Sequence, residues 1–116
     1  MDKSTILKAG DIVVAKVPFS TLEGMKIRPA LVLGVPNYNE VWVAKITSKP
    51  HFTRHSVLLD SSMFFYDPYN PPKAHSEACI SDLHTITKAS IAKVIGKVPP
   101  NVLAAARLKM LDIIGK

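Results

Sequence analysis

Apolar residues in this chain fall into short runs whose period changes once, near the C-terminus. Four runs rich in Val and Ile, separated by turn residues, fill the first sixty positions and read as strands. Asp11 to Phe19 is apolar on both faces, which predicts a central strand, and it closes at Pro18, which has no ladder donor. A polar loop at Ser20 to Met25 follows, with Gly24 able to adopt positive φ. The second run, Lys26 to Val35, contains Pro29, so its start is expected at an edge or bulge and Ala30-Leu31-Val32-Leu33 in the core. Pro36-Asn37-Tyr38-Asn39 is a turn by composition. Glu40 to Thr47 alternates Trp42, Ala44 and Ile46 against Val41, Val43, Lys45 and Thr47, and the second series turns polar and leaves Thr47 near solvent. Ser56 to Leu59 makes a fourth strand.

Ser61 to His75 holds three prolines, two tyrosines and a Phe-Phe pair without usable period, and is expected to be a long loop, a lid or a partner surface. Glu77 to Ile86 and Ile91 to Val98 resume the strand pattern around a tight connection, Thr87-Lys88-Ala89-Ser90. From Pro99 and Pro100 the period becomes helical. Leu103, Ala106, Met110 and Ile114 share a stripe reinforced by Leu111, and Gly115 is the expected stop, so a helix is placed over 100–114. Residues 1–9 precede the first strand as an extension. Six or seven strands and one helix predict one mainly β (α+β) domain over 1–116, a small, strongly bent antiparallel barrel or double sheet with the helix packed on it.

Composition narrows the function classes. The 116 residues are 47% apolar and 21% charged, ordinary for a folded domain. The one cysteine, Cys79, excludes an internal disulfide and favours a reducing, cytoplasmic setting. No apolar run reaches the roughly 20 residues of a membrane span, and neither a signal peptide nor a membrane partner is expected. Fifteen Lys and Arg against nine Asp and Glu give a net charge of +6, which favours encounter with polyanions or with an acidic protein.

Chemistry read from residue types alone is sparse. Arg28 and Thr47 are by default ordinary strand residues. His51, His55, His75 and His84 invite a two-histidine acid and base scheme, with His84 first. The His51 and His55 spacing lacks the further paired ligands a zinc site needs, so no metal is expected. Cys79, in an apolar strand, reads as a packed core thiol. Phe64, Phe65, Tyr66 and Tyr69 suit either base stacking or cover for the fold.

Taken in order, Gly10-Asp11-Ile12-Val13, Val17-Pro18-Phe19-Ser20, Gly24, Lys26-Ile27-Arg28-Pro29-Ala30-Leu31-Val32-Leu33 and Ala44-Lys45-Ile46-Thr47-Ser48 resemble the N-terminal half of the MazF/PemK toxin family. Ser76, His84-Thr85-Ile86, Lys88, Ile91 and Lys93-Val94-Ile95-Gly96-Lys97 resemble its C-terminal half. The resemblance implies an SH3-like antiparallel barrel with a C-terminal helix and a homodimer. It implies the toxin of a type II toxin-antitoxin system that cuts single-stranded RNA at specific sequences without metal or cofactor, leaving 2′,3′-cyclic phosphate and 5′-hydroxyl ends. A cognate antitoxin would occupy the site. Arg28 matches the family's catalytic arginine and Thr47 its catalytic threonine. Lys26, beside the loop Ser20 to Met25, falls where family members guide RNA. Beside the resemblance, Lys45, Lys49 and Arg54 flank Thr47 and suit either phosphate tracking or a solvated basic face, and Ser48 and His84 complete the candidate RNA contacts.

The chain also departs from the family. Many members carry an acid where Ser81 stands, and a subset carry Arg at the position of Cys79. Asp82 is adjacent to Ser81, but a one-residue shift along a strand predicts the opposite face. The segment from Ser61 to His75 replaces the usual Gly-Leu connection. Two other readings share the fold: a CcdB-type toxin that binds gyrase without catalysis, and a degenerate member that binds only RNA or antitoxin.

Overall fold

The computed structural model describes residues 6–20, 24–48, 55–65 and 75–115. Among these residues six strands, β1 (Asp11–Ser20), β2 (Gly24–Gly34), β3 (Glu40–Thr47), β4 (Ser56–Asp60), β5 (His75–Thr87) and β6 (Ile91–Lys97), precede one α-helix, α1 (Pro100–Ile114). They form one sheet in the order β4-β5-β3-β2-β1-β6, antiparallel throughout. β1 is an interior strand, paired on both sides as its two apolar faces require, but it lies one strand from the β6 edge and not at the centre of the sheet. β2 pairs with β3 only from Ala30 onward, so among the described residues Gly24 to Pro29 has a strand partner, β1, on one side alone. Pro29, with no N–H to donate, sits where that pairing ends.

Alternation along the strands sorts the buried residues into two cores on opposite faces. Ile12, Leu31, Ala44, Ile46, Val57 and Ile80 face one way and pack against α1 through Ala106, Leu103, Met110 and Ile113. Val13, Ala15, Ala30, Val32, Val43 and Ile86 face the other way, where Leu7 covers them. Turns follow local chemistry: the Asn37 side-chain oxygen accepts the N–H groups of Asn39 and Glu40, both at 2.9 Å, which fixes the β2–β3 hairpin. Gly10 takes φ 99°, and from that conformation its N–H donates to Val32 and its carbonyl accepts from Val98.

Several expectations need correction. The sheet is not closed into a barrel, because β4 and β6 do not pair. Residues 61–65 are not structureless: Ser61–Met63 form a 3-10 turn, Phe64 bridges Gly96 of β6, and the Phe65 N–H donates to the Ile95 carbonyl at 2.8 Å. Phe64 packs on the helix-side core, Phe65 is exposed, and Tyr66 and Tyr69 lie outside the described residues. The helix stripe is also rotated. Leu111 and Ile114 are exposed, while Val102 and Ile113 join Leu103, Ala106 and Met110 on the packed side. Gly115 ends the helix in right-handed geometry, φ −73°, its N–H returning to Leu111 at 2.7 Å. Its last turn is tied to the start of β4 by His55 Nε2 and Asp112 Oδ2, 2.9 Å apart.

Candidate nucleic-acid interface

Directly opposed residues of neighbouring strands share a face, so the register lays out the site row by row. One row crosses four strands as Ala30, Lys45, Cys79 and Ser56. The next runs Thr47, Glu77, Leu58. Two residues before Ala30 on β2 comes Arg28, paired to Ala15 without a register break, so Arg28 faces the same way at the Thr47 end of the sheet. Arg28 is exposed, and among the described residues its guanidinium makes no hydrogen bond or ion pair. Thr47 is half-buried and engaged by its surroundings. Ser48 follows it, exposed, at the end of β3. Strands thus bring Arg28 and Thr47 to one face beside a packed core, an arrangement that fixes side chains better than loops do.

The remaining candidates divide. The β2 backbone pairs Lys26 with Val17, but its side chain is outside the described residues, and Lys49 and Arg54 lie outside them entirely. His84 is on the same face but opposite Val43, four positions along β3 from Thr47. At strand rise that is about 13 Å, too far for His84 to move a proton at a phosphate held by Thr47. Its Nε2 lies 2.8 Å from Asp82 Oδ1. Among the described residues no three His, Cys, Asp or Glu side chains gather as a metal site.

Simple alternation put Asp82 on the far face, and the structure corrects this. β3 and β5 run in register from Glu40 to Ala44 and from Lys45 to Thr47, but between these stretches β5 jumps from Leu83 to Cys79. That bulge reverses the phase of the strand. Asp82 therefore meets His84, and its charge is felt at Cys79.

Sequence reasoning also missed Glu77, a fully buried carboxylate on the row of Thr47. A glutamate flanked by Ser76 and Ala78 inside a strand was the available signal. Which face it took depended on a register that periodicity does not supply.

Cys79 is half-buried, not a plain core residue. Burial pushes its thiol up from the ordinary value, and the Glu77 charge adds to this. Lys45 opposes, Asp82 raises, and a hydrogen bond with Ser56 lowers. Since the thiolate is the reactive form, Cys79 should be alkylated by iodoacetamide at neutral pH more slowly than free cysteine, with its rate rising at higher pH. Mass-spectrometric labelling across pH checks this, and a rate equal to that of free cysteine would contradict the burial.

A family profile described as PemK-like, MazF-like toxin of type II toxin-antitoxin system matches residues 8–114. Comparison with curated proteins gives no match. Among solved structures, the toxin MazF-mt6 of Mycobacterium tuberculosis superposes with a TM-score of 0.69 at 18% identity, over 90% of this chain and 96% of that one. A MazE-MazF crystal structure from Deinococcus radiodurans gives 0.70 at 21%, over 97% and 100%. An endoribonuclease in complex with its cognate antitoxin, from a mycobacterial species, gives 0.69 at 12%, over 95% and 96%. At these identities the likeness shows a shared fold.

Proposed function

Because this chain belongs to the PemK-like, MazF-like toxin family of type II toxin-antitoxin systems, we propose that it is an endoribonuclease cutting single-stranded RNA at specific sequences without a metal ion. The observation that carries the reading is the placement of Arg28, exposed and unengaged among the described residues, on the same sheet face as Thr47. In the reaction the 2′-hydroxyl of the RNA attacks the adjacent phosphorus. The O2′–P bond forms and the P–O5′ bond breaks; the 2′-hydroxyl proton leaves and the 5′ oxygen gains one. The products are a 2′,3′-cyclic phosphate and a 5′-hydroxyl. The nucleophile belongs to the substrate, so the protein's part is orientation, proton handling and positive charge on the phosphorane. The planar fork of Arg28 suits two phosphate oxygens at once, and Pro29 after it holds its backbone extended. The Thr47 hydroxyl donates to a non-bridging oxygen. Lys26, Ser48, Lys49 and Arg54 add further contacts to the RNA, and His84 contacts it farther along the sheet.

The working form is a homodimer in the cytoplasm, silenced by a cognate antitoxin that covers this face; one of the similar structures is an endoribonuclease in complex with its cognate antitoxin and another a MazE-MazF structure. Among the described residues no helix is long and apolar enough to cross a membrane. The test is incubation of the purified, antitoxin-free protein with long single-stranded RNA in excess chelator, followed by mapping of the ends. Discrete cuts with 5′-hydroxyl ends are expected. A folded preparation that cuts nothing would sink the reading, and gyrase inhibition would then be assayed.

A further inference from the structure

One buried charge beside the site has no part in that chemistry. Glu77 is 0% exposed, on the row of Thr47 and Leu58. A carboxylate taken out of water is costly unless a cation accompanies it. The register offers one. Lys45 lies on the same face one row away, diagonal to Glu77 across the β3–β5 ladder, at a separation long side chains span. Lysines seldom give up solvent, yet Lys45 is half-buried between Ala30 and Cys79. The charges of Lys45 and Glu77 both act on the Cys79 thiol, in opposite directions, so both lie close to one sulfur.

We infer that Lys45 is a second phosphate-binding cation of the site, and that Glu77 is the positioning residue holding its ammonium beside Thr47. An ammonium has three donors, so a bond to Glu77 leaves others for phosphate oxygens. Arg28 reaches the phosphate from the exposed end of the face and Lys45 from its half-buried side. Negative charge developing on the phosphorane then meets two cations. The inference rests on the RNA-cleaving reading above, but its test does not depend on turnover.

The probe is a single-stranded RNA carrying 2′-O-methyl groups throughout, which can bind but lacks the nucleophile. Its affinity is measured between roughly 50 and 200 mM salt for the wild type, Lys45→Met, Glu77→Gln and the double variant. Lys45→Met is expected to weaken binding roughly tenfold. The slope of log affinity against log salt should flatten by about 0.7, one phosphate contact on a single strand. Glu77→Gln should show part of the same flattening, and the double variant should bind no more weakly than Lys45→Met alone. A glutamate with only a structural role would lower the melting temperature, leave the slope unchanged and add its effect to that of Lys45→Met. Should Glu77→Gln not fold, Glu77→Asp retains the charge and should keep the wild-type slope. An unchanged slope in Lys45→Met, or additive losses in the double variant, would overturn the inference. A wild type that binds with the full slope but leaves unmodified RNA intact would overturn the nuclease reading alone; one that does not bind would overturn both.

Discussion

Arg28→Ala should slow RNA cleavage by roughly 10²- to 10³-fold, the loss seen when one preorganised donor to a developing oxyanion is removed. The folded state should hardly notice. Arg28 is exposed and makes no hydrogen bond or ion pair among the described residues, and substitutions at such positions usually change stability by no more than about 0.5 kcal/mol. Rate and melting temperature should therefore separate. Arg28→Lys should not restore the rate, because a point charge on a flexible stem does not reproduce a planar fork over two oxygens. The readout is single-turnover cleavage beside a thermal melt. A rate loss matched by a comparable loss of stability would reassign Arg28 to the fold.

Gly96→Ala is expected to destabilise the fold strongly, since among the described glycines an added Cβ comes nearest to backbone here. A Cβ there would fall against the Met63 carbonyl oxygen, well inside contact distance, and 3.0 Å from Phe64 Cα, with Ile12 Cδ1 at 3.2 Å. The first two obstacles are backbone or fixed to it, so no rotamer change relieves them. Phe64 would have to leave its bridge to Gly96, and Phe65 its bond to Ile95. Overpacking of this kind costs about 3 kcal/mol, or roughly 10 °C of melting temperature for a domain of this size. Gly34→Ala is the control. There the added carbon meets the Trp42 ring at 3.2 Å, and Trp42 is partly exposed and can move, so its melting temperature should fall much less. Equal shifts in the two variants would show that the Phe64 bridge does not hold the ends of the sheet together.

Much of the frame was legible because strand period and turn chemistry are local. β1, β3 and α1 run close to where the apolar pattern puts them, and Pro29 marks the limit of the β2–β3 pairing as its missing donor requires. What escaped is what depends on partners distant in sequence. Alternation along β3 put Thr47 near solvent, but that Arg28 shares its face follows from the β1–β2 and β2–β3 registers, and that Glu77 would lie beside Thr47 follows from β5 inserting between β3 and β4. Asp82 was assigned the wrong face because a bulge, not alternation, sets the phase of β5 after Ile80. The helix stripe was off by a fraction of a turn. Leu111 and Ile114 are as apolar as Leu103 and Met110, and only contact with the sheet decides which are covered.

The strand order has a consequence for how the protein comes into being. β1 pairs with β6, so Asp11 waits for Lys97, and β5 must slip between two strands made before it. Sheets dominated by such distant pairings fold in milliseconds to seconds, slower than helical bundles of equal length. A nascent chain that has emerged only as far as β4 carries Arg28 and Thr47 but lacks the strand that sets Glu77 beside Thr47. The face that would act on RNA is thus assembled only after most of the chain has left the ribosome, and a prematurely ended copy lacks part of it.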